Sequence, residues 1–160
     1  MSIMDEQPNI TPVPEPANLI PTATPQLAPT PAVPISAQKK ILLVEDDDGL
    51  ADVYTIRLEA EGFKTKRVPN GEDALSAAIE FRPDLILLDV MMPKISGFDV
   101  LDILRNTPET TNVRIIMLTA LSQDSDKARA QQYGVDDYLV KSQVVIADVV
   151  AKIKENLGVA

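Results

Sequence analysis

Four short apolar runs in this chain each end on a polar or charged residue. Ile41 to Val44 stops at Glu45 and Asp46, Leu85 to Leu88 at Asp89, Ile115 to Leu118 at Thr119, and Tyr138 to Val140 at Lys141. Continuous apolar runs of this length suit strands buried on both faces. A fifth segment, Phe63 to Val68, alternates apolar and charged residues, which predicts a strand exposed on one face at a sheet edge. Helical periods fill the gaps between the strands. From Asp47 to about Glu61, the residues Leu50, Val53, Tyr54 and Leu58 form one apolar stripe, and Gly62 follows as a stop. Asn70 is placed to cap a second helix whose first turn holds Glu72 and Asp73 and whose stripe is Ala74, Leu75, Ala78 and Ile79; Pro83 prevents it from running on. The pairs Met92-Pro93 and Ser96-Gly97 mark a loop, after which Phe98, Leu101 and Leu104 predict a short third helix. Ser122 to Gln132 reads as a polar fourth helix ended by Gly134, and Ile146, Val149, Val150, Ile153 and Leu157 line a fifth.

Five strands alternating with five helices predict an α/β fold, a doubly wound five-stranded parallel sheet, for which the flavodoxin-like order 2-1-3-4-5 is the expected topology. A parallel sheet brings its carboxyl ends to one edge, where open α/β sheets bind ligands. In this order the first and third strands are neighbours, so Glu45, Asp46 and Asp89 share one crevice, with Thr119 and Lys141 ending strands on the same edge. Each residue also has a plain reading. Glu45 to Asp48 suits the acidic start of a helix, Thr119 an ordinary strand end and Lys141 a salt bridge. Taken together they are less ordinary. At about 5 Å and an effective dielectric near 20, each pair of like charges costs roughly 3 kcal/mol, a conflict that a bound divalent cation removes. An all-oxygen, carboxylate-rich set fits Mg²⁺, with Mn²⁺ as a substitute. A carboxylate nucleophile, a divalent ion, a hydroxyl donor and a fixed ammonium are the parts that phosphoryl transfer to aspartate requires. Asp47 and Asp48 lie past the strand end and are assigned to the helix start.

Composition narrows the setting. Nine of the thirteen prolines in this 160-residue chain precede residue 40, in a stretch without aromatics. Residues 1–38 therefore read as a disordered proline-rich segment and 39–160 as one folded domain. A net charge of −9 would repel a nucleic-acid backbone, so direct DNA or RNA binding is not expected. No apolar run approaches the roughly 20 residues that cross a bilayer, the N-terminus has no secretory pattern, and cysteine is absent; these features fit a cytoplasmic protein. Histidine is absent too, so any phosphohistidine must sit on another protein.

At these residues the domain resembles the receiver domain of two-component response regulators, in its stand-alone, single-domain form. The strongest signature is Leu88-Asp89-Val90-Met91-Met92-Pro93-Lys94-Ile95-Ser96-Gly97, similar to that family's phosphoacceptor loop. Glu45-Asp46, Met117-Leu118-Thr119-Ala120 and Asp137-Tyr138-Leu139-Val140-Lys141 match in order and spacing. The resemblance implies that Asp89 is the phosphoacceptor and that Glu45, Asp46, Asp89 and the backbone carbonyl of Met91 hold Mg²⁺. It implies that Thr119 and Lys141 grip the phosphoryl group while the small Ala120 leaves it room, and that Tyr138 is a switch aromatic which turns inward as Thr119 moves. By the same resemblance, Met91 and Leu121 occupy positions that in the family influence how fast the aspartyl phosphate is hydrolysed; both are apolar, which predicts slow self-dephosphorylation.

The sequence departs from the family at Ser142, where a proline usually follows the lysine, often in a cis peptide. A non-proline cis bond costs about 3 kcal/mol, so here the bond is either trans or held under strain. The expected protein is a phosphoacceptor switch rather than a classical enzyme. Its donor would be a histidine kinase or a histidine phosphotransfer protein, and its output a protein docking on the face of the fourth helix, fifth strand and fifth helix, since the chain ends with that helix. A phosphorylation-dependent dimer is left open. Two alternatives stand beside this reading. One is a receiver-like docking scaffold that no longer cycles; the other is a hydrolase of the haloacid-dehalogenase kind, which wants an acid two residues past the nucleophile, where this chain has Met91.

Overall fold

The computed structural model describes residues 38–160, so the proline-rich segment read from residues 1–38 lies almost wholly outside the described residues. Within them the elements run β1 (Lys40–Val44), α1 (Asp48–Ala60), β2 (Lys64–Val68), α2 (Gly71–Phe81), β3 (Leu85–Leu88), α3 (Gly97–Arg105), β4 (Arg114–Thr119), α4 (Asp124–Gln132), β5 (Asp137–Val140) and α5 (Ile146–Leu157). All strand pairs are parallel, in the order β2-β1-β3-β4-β5. This is the flavodoxin-like topology expected from the alternation of runs. The three inner strands are apolar because helices cover both of their faces. One face places Leu42, Val44, Ile86, Leu88, Ile115 and Met117 against α2, α3 and α4. The other places Ile41, Leu43, Leu85, Leu87, Ile116 and Leu118 against α1 and α5.

The helix stripes differ from the periodicity in detail. In α1 the buried residues are Ala51, Tyr54 and Leu58, while Val53 is 54% exposed. At 3.6 residues per turn Val53 sits about 100° from Tyr54, on the side away from Ala51 and Leu58, so a single small residue sets which way the helix turns its narrow face. In α2 the same rule selects Ala74, Ala77 and Ala78, and Ile79 is 45% exposed. Short side chains let the backbone come close to the sheet, and the larger apolar residues are left at its flank. Only Ala130 is buried in α4. Its Arg129 compensates by stacking over the Phe98 ring of α3 at 4.4 Å. A 3-10 turn at Lys141–Gln143, absent from the sequence reading, follows β5, and the Lys141–Ser142 peptide is trans.

Local chemistry fixes the helix starts that face the strand ends. Asp47 accepts the Leu50 N–H at 2.8 Å and Asn70 the Asp73 N–H at 2.8 Å, each satisfying an orphan donor of a first turn. Ser96 does the same for Phe98 at 3.0 Å.

Candidate functional site

The site is built at the carboxyl edge by strand register. Val44 pairs with Leu88, so the next residues, Glu45 and Asp89, emerge side by side. Thr119 pairs with Val140, which puts Lys141 one step beyond. Glu45, Asp89 and Thr119 are buried polar residues, and Asp46 is exposed. One carboxylate oxygen from each of Glu45, Asp46 and Asp89 can be chosen so that the three lie within 4.8 Å of one another. The Lys141 ammonium donates to both Glu45 oxygens at 3.0 Å and to Asp89 Oδ2 at 3.0 Å. Asp89 Oδ1 accepts the Met91 N–H at 3.2 Å, and the Asp89 N–H itself continues the ladder to the Val44 carbonyl at 3.1 Å.

Burial dominates the electrostatics of Glu45. It holds that carboxyl above the usual carboxylate range, against the Lys141 hydrogen bond, and the nearby Asp89 pushes the same way. For Lys141 burial works in the opposite sense, yet the hydrogen bonds and charges of Asp89 and Glu45 outweigh it and keep the ammonium firmly protonated. The amine therefore offsets part of the repulsion between the carboxylates. It leaves Asp46 facing solvent, where a hard cation can still approach. An all-oxygen donor set of three carboxylates fits Mg²⁺ chemistry and would not select zinc.

Thr119 Oγ1 accepts the Leu121 N–H at 3.3 Å, and the Tyr138 hydroxyl donates to the Leu121 carbonyl at 2.9 Å. The β4–α4 loop is thus tied at one residue to both the strand-end hydroxyl and the β5 aromatic. Met91 and Leu121 line one groove with Asp46, Met92, Phe98 and Arg129, and Met91 is 55% exposed there. Ala120 is exposed beside this groove's Leu121. Burial first, then the charges of Asp126 and Asp89, push the Tyr138 phenol up from 10.0 to about 12. A phenol that holds its proton more tightly folded than unfolded contributes stability that is complete below pH 10 and lost as the pH rises toward 12. Tyr138→Phe is expected to delete the most alkaline step from the phenolate absorbance titration. In urea unfolding, the variant should lose less stability than the wild type across that interval.

One contributor escaped the sequence reading. Arg67 of β2 donates to the Glu45 carbonyl through Nε at 3.0 Å and Nη2 at 2.7 Å, and its Nη1 lies 2.8 Å from Asp48 Oδ1. The signal was its place one residue before the end of an edge strand, opposite Leu43 of β1.

Curated relatives and solved folds point the same way. A family model described as the response regulator receiver domain matches residues 41–154. The DNA-binding response regulator MtrA of Mycolicibacterium smegmatis is 40% identical over 122 residues, covering 74% of this chain and 52% of its own length. The DNA-binding dual master transcriptional regulator RpaA of Synechocystis is 39% identical over 102 residues, covering 64% of this chain and 42% of its own. The chain thus spans about half the length of the curated relatives it matches. Among solved structures, the N-terminal receiver domain of Klebsiella pneumoniae RstA superposes with a TM-score of 0.69 at 28% identity, covering 74% of this chain and 98% of that one. The Vibrio cholerae chemotaxis protein CheY4 does so with a TM-score of 0.71 at 26% identity, covering 76% and 100%. Among the described residues no helix is long and apolar enough to cross a membrane. A parallel 2-1-3-4-5 sheet with an acidic cluster at its carboxyl edge, matched from 41 to 154 by that model, belongs to the response-regulator receiver family, whose members are phosphoacceptor switches.

Proposed function

We propose that Asp89 accepts a phosphoryl group from a phosphohistidine on a kinase or phosphotransfer partner, with Mg²⁺ held by Glu45, Asp46, Asp89 and the Met91 carbonyl. The observation that carries this reading is that the Asp89 carboxylate belongs to the acidic cluster with Glu45 and Asp46 and accepts the Lys141 ammonium at 3.0 Å. An Asp89 oxygen attacks phosphorus, the P–O bond forms as the P–N bond breaks, and the imidazole leaves on the partner. The metal, when bound, supplies charge neutralisation to the phosphoryl oxygens. Lys141, 3.0 Å from Asp89 Oδ2, adds a fixed positive charge, and Thr119, released from the Leu121 N–H, turns its hydroxyl to a phosphoryl oxygen. Ala120 leaves space beside it.

Because Leu121 also holds the Tyr138 hydroxyl, a shift of Thr119 is passed to β5 and the slender α4 through one loop. The face of α4, β5 and α5 is the surface that reports the change, to a partner protein or to a second phosphorylated copy. Since α4 buries only Ala130, little packing opposes its rearrangement. A cytoplasmic location goes with such donors. Met91 and Leu121 flank the groove and hinder an attacking water, so the phosphorylated form is long-lived.

The test is incubation with acetyl phosphate and Mg²⁺, followed by phosphate-affinity electrophoresis. The expected result is a labelled band in the wild type that persists well beyond seconds after chase and is missing in Asp89→Asn. No label in the wild type would favour a docking scaffold. Continuous release of phosphate would favour a hydrolase.

A further inference from the structure

Glu45 and Asp46 are adjacent in sequence yet face different surroundings, one buried against Lys141 and the other exposed. Both polar ends of the Glu45 backbone are tied to the end of β2: its N–H donates to the Val68 carbonyl at 3.1 Å, and its carbonyl accepts two donors from Arg67. The third arm of the same guanidinium reaches Asp48, the first residue of α1. A planar fork that takes a carbonyl with two nitrogens and a carboxylate with the third fixes orientation, which a point charge does not. The Arg67 side chain is only 26% exposed, so its hold on the Glu45 carbonyl is sheltered, whereas Asp48 is mostly in solvent. The Asp46 carboxylate, by contrast, has no hydrogen-bond partner among the described residues; only its backbone tells it where to point.

We propose that Arg67 is a positioning residue for the divalent-cation site: it locks the Glu45–Asp46 peptide and so presets the direction of the Asp46 carboxylate. The inference rests on the metal-assisted reading above and concerns how that site is held together. Two effects of the guanidinium have opposite signs. As a nearby positive charge it repels a cation, so its removal would strengthen metal binding. As a clamp it preorganises a ligand, and its removal weakens binding.

The experiment is calorimetric titration of the unphosphorylated full chain with Mg²⁺, for wild type, Arg67→Gln, Arg67→Lys and Asp48→Asn, with urea unfolding run in parallel. Arg67→Gln is expected to weaken Mg²⁺ binding about tenfold, the scale seen when an outer partner of a metal ligand is lost. Arg67→Lys, which keeps the repelling charge and loses the fork, should bind Mg²⁺ no more tightly than Arg67→Gln. Asp48→Asn, which leaves the carbonyl clamp intact, should stay within about twofold because the ion pair it removes is largely solvated on the Asp48 side. In acetyl phosphate labelling, the Arg67→Gln variant should need more Mg²⁺ for half-maximal rate and reach a similar rate at saturation. Unchanged or tighter Mg²⁺ binding in Arg67→Gln, or full recovery by lysine, would overturn the clamp while leaving Asp89 as acceptor. If Arg67→Gln proves unfolded, Arg67→Lys alone decides: affinity equal to wild type overturns the proposal, and a severalfold loss in a folded protein supports it. A wild type that binds no Mg²⁺ and takes no label would remove the site reading, and the clamp with it.

Discussion

Gly97→Ala is expected to destabilise the domain by about 3 kcal/mol, well above the roughly 1 kcal/mol of an ordinary substitution. An alanine Cβ at this position would collide with the Asp89 carbonyl oxygen and lie 2.7 Å from Val90 Cα and 2.9 Å from the Asp89 carbonyl carbon. All three are backbone atoms, so no side chain can swing away. The close approach arises because the Gly97 N–H bonds back to the Val90 carbonyl at 2.9 Å, folding the start of α3 onto the end of the β3 strand. Relief requires either the loop or the helix start to move, and the loop carries Asp89. A control separates this clash from glycine's conformational freedom. Gly62 has φ +98° and open space where its Cβ would go, so Gly62→Ala should lose only the roughly 1–2 kcal/mol of left-handed strain. Urea unfolding of both variants checks the order. A Gly97→Ala midpoint at or above that of Gly62→Ala would mean that the loop yields easily. In that case the close packing of α3 would not be what sets the position of Asp89.

Much of this architecture is legible in the sequence because the inner strands answer to one simple demand. A strand covered by helices on both sides has no solvent face, so Leu85-Ile86-Leu87-Leu88 can only be a continuous apolar run. Where the run ends the sheet ends, and in a parallel sheet those ends share an edge. That is why Glu45, Asp46, Asp89, Thr119 and Lys141 could be gathered before any coordinates, although they are scattered along the chain. Helix faces were less legible. Periodicity records which residues are apolar, while the face that packs is chosen by how closely a helix can approach. Ala51 and Ala77 carry that information and Val53 and Ile79, with larger side chains, obscure it. Arg67 was hidden for a different reason. Its partner is a backbone carbonyl, which no residue type announces, and the contact depends on the register of β2 against β1. The 3-10 turn after β5 was equally silent in the pattern.

Lys141→Met should produce two changes of opposite sense. The ammonium spans the two buried carboxylates, 3.0 Å from Glu45 and 3.0 Å from Asp89. Removing one member of a buried pair typically costs 3–5 kcal/mol; with Lys141 still 22% exposed and water able to reach its place, about 2 kcal/mol is expected in metal-free buffer. A divalent cation competes with this amine for the same oxygens. Without it the acidic cluster is more negative, so Mg²⁺ should bind the variant more tightly than the wild type and restore most of the lost stability. Phosphoryl transfer should nonetheless fall by about a hundredfold, because a fixed charge that meets the transferred group is worth far more in the transition state than in the resting site. The measurements are Mg²⁺ titration followed by thermal unfolding, and the initial rate of labelling by acetyl phosphate at saturating Mg²⁺. Tighter metal binding together with slower labelling would separate the amine's structural role from its chemical one. Weaker metal binding would show that Lys141 organises the carboxylates rather than competing for them, and an unchanged labelling rate would remove it from the reaction.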